Sequence, residues 1–174
     1  MSLLEEKLTR DKFRKLYQDC KPSCELIEGR LEQKALGSKR HAALQGILFR
    51  MLQELGFRSY VELSLAISED WEPIPDVAGV VGPETDEVYQ SEPPAVAIEI
   101  LSPSDRFTLL DQKCRRYAGW GIRDILVFDP VAQRAWHWDA KLDSLLPIQE
   151  TYAFSSKPGT MLRIAEAFRK LNER

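Results

Sequence analysis

The stretch Ile74-Pro75-Asp76-Val77-Ala78, followed by Ala95-Val96-Ala97-Ile98-Glu99-Ile100-Leu101-Ser102-Pro103-Ser104 and then by Lys113, decides the reading of this chain. Each of the two runs carries one acid inside an otherwise apolar, strand-like segment, and carboxylates are rarely buried without a partner or a metal. Two such acids point to a cation site. Lys113 follows on what reads as a helix. The stretch therefore offers two anionic metal ligands and one cationic group, the set that metal-assisted phosphodiester hydrolysis uses.

Upstream of the stretch, a loosely helical pattern over 3–17 predicts a peripheral amphipathic helix. Residues 25–31 read as two short strands about a Gly turn, to which no function attaches. Ser38 caps a predicted helix running to about Leu55, with Leu44, Ile47, Leu48, Met51, Leu52 and Leu55 in one stripe and Gly56 as the stop. Over 59–67, Val61, Leu63, Leu65 and Ile67 alternate with polar or small residues, the period of a half-buried strand. Strands follow at about 76–82 and 95–101. The second is almost wholly apolar, as a strand covered on both faces would be.

Downstream, 102–105 breaks the strand and caps a helix over about 106–120. Further strands are expected at 122–129, at 133–138 as a neighbour or sheet edge, and near 145–149. Pro158-Gly159 marks a turn, and a terminal helix spans about 164–172. The order helix, three strands, helix, strand predicts an α/β fold with a mixed central sheet flanked by helices. A chain of 174 residues fits one domain, with its core at about 25–138 and its terminal helices peripheral.

Composition narrows the function classes. Hydrophobic residues at 44% and charged residues at 29% suit a soluble globular protein, and no apolar run is long enough to cross a membrane. With no secretory signal in the opening residues, a cytoplasmic location is expected. Cys20, Cys24 and Cys114 lack the companions of a zinc site, so reduced thiols are expected. A net charge of −3 argues against an overall electrostatic grip on nucleic acid, so any DNA contact is local or shared across a homodimer.

Antiparallel pairing of the two acid-bearing strands would set Asp76 and Glu99 on one face at adjacent positions. Two carboxylates, completed by water, the Ile100 backbone carbonyl and a substrate phosphate, suit Mg²⁺ or Mn²⁺ better than zinc. Lys113 shares a helical stripe with Leu109, Leu110 and Tyr117, so its ammonium points at the sheet. It would arrive where the strand itself has Leu101.

Together, Pro75-Asp76, the run from Ile98 to Ser104, Asp111-Gln112-Lys113 with Tyr117, and Ile125-Leu126-Val127-Phe128-Asp129-Pro130 carry a resemblance. Over roughly 25–129 the chain resembles the Uma-two family of restriction-endonuclease-like proteins, within the PD-(D/E)XK nuclease superfamily. The resemblance implies a restriction-endonuclease-like core, a divalent metal held by Asp76 and Glu99, and a basic residue supplied by Lys113. The wider superfamily usually places that Lys where Leu101 stands here.

Each candidate also has a plainer reading. Asp76 after Pro75 marks a turn or strand start, and Lys113 can snorkel to solvent. His41, on the Leu44 and Leu48 stripe, is either a proton-transfer group or a hydrogen-bonded structural histidine. Glu62 is an extra ligand or part of a solvated strand face. Tyr117 hydrogen-bonds at the site or packs in the core. Trp136-His137-Trp138 reads as an edge strand that packs, dimerises or stacks on unpaired bases. Two function classes result: a metal-dependent endonuclease acting on DNA, and a catalytically inactive nucleic-acid-binding or assembly module on the same fold. A carboxylate-pair glycosidase is disfavoured, because no sugar-stacking cluster lies near the acids.

Overall fold

The computed structural model describes residues 7–17, 19–103 and 106–173. A six-stranded mixed sheet forms its centre, in the order β3-β4-β5-β6-β7-β8. These strands are β3 (Arg58–Val61), β4 (Val77–Val80), β5 (Val96–Ile100), β6 (Asp124–Asp129), β7 (Arg134–Asp139) and β8 (Ser144–Ile148). Only the β5–β6 pair is parallel; β3–β4, β4–β5, β6–β7 and β7–β8 are antiparallel. The parallel pair is joined by α3 (Phe107–Trp120), because parallel neighbours need a long crossover. The expected order of helix, three strands, helix, strand is therefore found, with α2 (Lys39–Glu54) as its first helix.

Helices cover both faces of the sheet. On one face Leu44, Leu48 and Leu52 of α2 pack with Val77, Ile98, Leu126 and Phe128, joined by Phe168 of α4 (Ile164–Asn172). On the other face Leu110, Cys114 and Tyr117 of α3 pack with Ala97, Ile125 and Val127. β5 is buried at every position, which explains why it is apolar except at Glu99. Consecutive β5 residues alternate between these two cores, so Glu99 shares the α3 face with Ala97.

Two elements lie beside the sheet. The hairpin of β1 (Cys24–Ile27) and β2 (Arg30–Gln33) turns through Glu28 and Gly29, both at positive φ, as a tight two-residue hairpin turn requires. A small ladder of β9 (Thr151–Ala153) and β10 (Met161–Arg163), which periodicity did not signal, leads into α4. α1 (Arg10–Tyr17) buries Phe13 against the hairpin.

Three expectations are corrected. The 59–67 strand ends at Val61, because Glu62 takes φ 52° and breaks the alternation. Val61 is consequently 50% exposed while Leu65 is fully buried. β7 is not an edge, since it pairs with β6 and β8 and buries Trp138. Cys20 and Cys24 are joined as a disulfide rather than free, their Cα atoms being 5.9 Å apart, within the reach of such a bond. α3 has no side-chain cap at Arg106, and the caps expected at 104–105 lie outside the described residues. So does the start of the helix expected over 3–17. Among the described residues no helix is long and apolar enough to cross a membrane.

Candidate active site

Asp76 and Glu99 meet at one end of the β4–β5 ladder. Val77 pairs with Ile98 as the last pair of the ladder; Asp76 stands just before β4 in a bend, and its Oδ2 accepts the N–H of Ile100, the residue after Glu99. Asp76 and Glu99 are both buried. They line a cleft of about 70 Å³ together with Glu25, Lys34, His41 and Lys113. Ile100 and Leu101 also line it, at the carboxyl end of β5, where open α/β sheets place their ligands.

Three elements deliver cations to these acids. From α3, Lys113 Nζ lies 2.8 Å from both Glu99 Oε1 and Glu25 Oε1. From the segment after β2, Lys34 Nζ donates to Asp76 Oδ1 at 2.9 Å and to the Ile74 carbonyl at 2.8 Å. From the first turn of α2, His41 Nε2 stands 3.4 Å from Asp76 Oδ2. That turn is fixed by Ser38, whose hydroxyl oxygen accepts the His41 N–H.

Neutral donors complete the arrangement. The Ile100 N–H donates to Asp76 Oδ2 at 2.7 Å, and Gln45, one turn after His41, donates to the Asp76 carbonyl at 2.9 Å. Tyr117 donates its hydroxyl to Glu99 Oε1 at 2.7 Å. Glu25 Oε1 also accepts the Ile74 N–H, tying the β1–β2 hairpin to the turn that presents Asp76.

These contacts push the two acids apart. Burial would raise the Asp76 carboxyl, but the hydrogen bond from His41 and the charge of Lys34 hold it well below the usual carboxylate range. Burial pushes Glu99 up as well; Lys113 draws it back, Asp76 and Glu25 repel its charge, and it settles at about 7. Burial opposes charge on Lys113 and Lys34, yet the facing acids outweigh it and hold both ammoniums above their ordinary value. His41 is likewise raised: burial opposes its charge and Asp76 favours it, with the Ile100 backbone adding a hydrogen bond.

Among the residues singled out in the sequence, Asp76, Glu99, Ile100, Lys113, His41 and Tyr117 are thus brought together. Glu62 is not. The positive φ that ends β3 leaves its side chain exposed, and only its backbone N–H reaches Asp76, donating to the carbonyl at 3.2 Å. Two members were missed. Glu25 sits in the hairpin to which no function had been attached, although it too is an acid among apolar strand residues, Cys24 and Leu26, and is buried. Lys34 lies just past β2 with no periodic signal to mark it.

No group of three or more His, Cys, Asp or Glu positioned as a metal cage occurs among the described residues. The two carboxylates of the cleft and the Ile100 carbonyl are all oxygen donors. Such a partial set fits a hard divalent cation that completes its shell with water.

A family model described as "Uma2: Putative restriction endonuclease" matches residues 10–172. Among solved structures, a putative nuclease belonging to DUF820 from Anabaena variabilis aligns with a TM-score of 0.79 at 22% identity, over 94% of this chain and 99% of that one. This likeness is one of fold. The DrdV–DNA complex aligns with a TM-score of 0.39 at 17% identity, over 76% of this chain and 11% of that one. No curated protein matches the chain.

Proposed function

The chain belongs to the Uma2 family, and from that premise we propose that it is a divalent-metal-dependent endonuclease that hydrolyses DNA phosphodiester bonds. The observation that carries this reading is that Asp76 and Glu99 line one cleft at the end of the β4–β5 ladder, with Lys113 entering from α3. Asp76, Glu99 and the Ile100 carbonyl are the groups that would hold Mg²⁺ or Mn²⁺. A bound ion would offset charge building on the phosphoryl group and make its water more acidic.

The chain's own groups divide the remaining work. Asp76, kept ionised by Lys34 and His41, is ready to accept a cation without first losing a proton. Tyr117 and Lys113 both hold Glu99 Oε1, which fixes the orientation of that carboxylate. Lys113 is placed to orient the attacking water or to neutralise the phosphate, while Glu25 holds its ammonium in position. His41, beside Asp76, is placed to pass a proton to or from the cleft.

A specific observation favours the alternative, a catalytically inactive binding or assembly module. Asp76 and Glu99 each already face a lysine of the same chain, so the cluster can stand as a closed ion-pair network. The two readings separate in a nicking assay on supercoiled plasmid with Mg²⁺ or Mn²⁺. The endonuclease predicts cleavage that chelation abolishes and that neither Asp76→Asn nor Glu99→Gln retains. Cleavage surviving both substitutions would remove this site from consideration. Cutting both strands calls for two sites, so a homodimer on DNA is part of the proposal, to be checked by analytical ultracentrifugation.

A further inference from the structure

Lys34 makes the cleft's most displaceable ion pair. Asp76 Oδ2 is already occupied by the Ile100 N–H and faces His41, which leaves Oδ1 as the oxygen turned toward an incoming cation. Lys34 Nζ sits on that oxygen, on a side chain only 12% exposed. Resting on the endonuclease reading, we propose that Lys34 holds the divalent ion's seat in the metal-free protein, yields it when the ion binds, and then engages a phosphate of the DNA at the cleft mouth.

The two lysines are anchored differently. Lys113 is held by two carboxylates, Glu25 and Glu99, so it keeps a full counter-charge even if Glu99 turns to a metal. Lys34 has one carboxylate and one neutral carbonyl, and an ion that takes Asp76 leaves it only the weaker partner. A divalent ion and an ammonium at contact distance on the single oxygen Oδ1 repel strongly, so occupancy of that oxygen by one excludes the other. The Lys34 backbone stays fixed, its N–H donating to the Ser23 carbonyl at 2.8 Å, so the exchange needs only rotation of its four-carbon stem.

The outer station is on the same surface. Lys34 and Arg106 line both the cleft and an adjoining depression bounded by Pro22, Gln33 and Leu36. An ammonium released from Asp76 therefore swings toward Arg106, whose guanidinium pairs with Glu32 on the exposed rim. A DNA phosphate seated there meets two cations, one of which is available only after the metal has bound.

The test is calorimetric titration of Mn²⁺ into the wild type, Lys34→Gln and Lys34→Arg, beside thermal unfolding of each. Lys34→Gln is expected to bind Mn²⁺ at least about tenfold more tightly than the wild type. It should also unfold at a lower temperature without metal and recover most of that loss at saturation. Lys34→Arg, with a bulkier fork on the same oxygen, should bind Mn²⁺ more weakly than the wild type, which keeps the test decisive if the Gln variant fails to fold. Equal affinity in all three proteins overturns the exchange.

DNA affinity measured against salt in Ca²⁺ tests the second station. The slope should fall by about one in Lys34→Gln and stay unchanged in chelator; an unchanged slope in Ca²⁺ overturns that station. A wild type that cleaves DNA and binds Mn²⁺ with an affinity insensitive to Lys34 keeps the endonuclease reading and rejects this one. A wild type that binds Mn²⁺ more weakly than Lys34→Gln but does not cleave DNA does the reverse.

Discussion

Lys113 Nζ lies 2.8 Å from Glu99 Oε1, so the ammonium beside the β5 acid arrives from α3 and not from position 101 of its own strand. Leu101 stands there instead, half-buried. Because Lys113 also holds Glu25, it is the common counter-charge of two buried carboxylates. Lys113→Met leaves both without it and is expected to destabilise the metal-free fold by about 3–5 kcal/mol. Urea unfolding of the variant at neutral pH measures this, and a midpoint equal to that of the wild type would sink the claim. Lys113→Arg should recover part of the stability, since it restores the charge in a different shape.

Stability and metal affinity should respond to pH through Glu99. Its folded carboxyl titrates at about 7, above its ordinary value, so the folded state holds the proton more tightly than the unfolded chain. The stability this contributes is complete below the unfolded value and is lost as pH climbs through about 7. Asp76 has the opposite sign: its contribution exists above the ordinary carboxylate value and disappears as pH falls through its depressed one. A metal ligated by Glu99 must displace the proton, so Mn²⁺ affinity should rise with pH up to about 7 and flatten above it. Calorimetry in buffers of different ionisation enthalpy reads the released proton directly, and no release near pH 6 would contradict the assignment.

The architecture was legible because β5 and α3 each obey one period. The apolar run from Ala95 to Leu101 could only be a covered strand, and Leu110, Lys113, Cys114 and Tyr117 follow helical spacing closely enough to place the lysine under the sheet. Asp76 and Glu99 were found by the same logic, as acids interrupting buried strands. Where the backbone leaves a period, the pattern misleads. Glu62 looked like a strand-face acid until its positive φ turned it to solvent. Lys34 had no signal at all, because its partner Asp76 lies forty-odd residues away and only the packing of the β1–β2 hairpin against the 72–76 turn brings them together.

Tyr117 tests how far Glu99 depends on its hydrogen bond. The hydroxyl donates to Glu99 Oε1 at 2.7 Å inside the α3 core, and the ring itself is fully buried. Tyr117→Phe keeps the ring and removes the donor, at an expected cost of about 1–3 kcal/mol. Losing a donor to the carboxylate also pushes Glu99 further up, so the pH profile of Mn²⁺ affinity should move to higher pH. A stability loss without that movement would mean that the hydroxyl packs against Glu99 without tuning it.

Asp124 provides the counter-case, since it too is a fully buried acid in a strand, at the start of β6. Its partners explain it without a cation. Oδ1 accepts from the Tyr152 hydroxyl at 2.9 Å and from the Ser155 N–H at 2.9 Å and hydroxyl at 2.8 Å, while Oδ2 accepts the Ser156 N–H at 2.9 Å. Burial of a carboxylate alone therefore does not mark a metal site; what distinguishes Asp76 and Glu99 is that both line one cleft. Asp124→Ala strands these donors and is expected to cost about 3 kcal/mol or more of stability. Mn²⁺ affinity of the folded variant should stay within about twofold of the wild type, because distant sites act independently. If Asp124→Ala abolished metal binding while the thermal transition persisted, the ion would have to sit elsewhere than on Asp76 and Glu99, and the assignment of this cleft would fail.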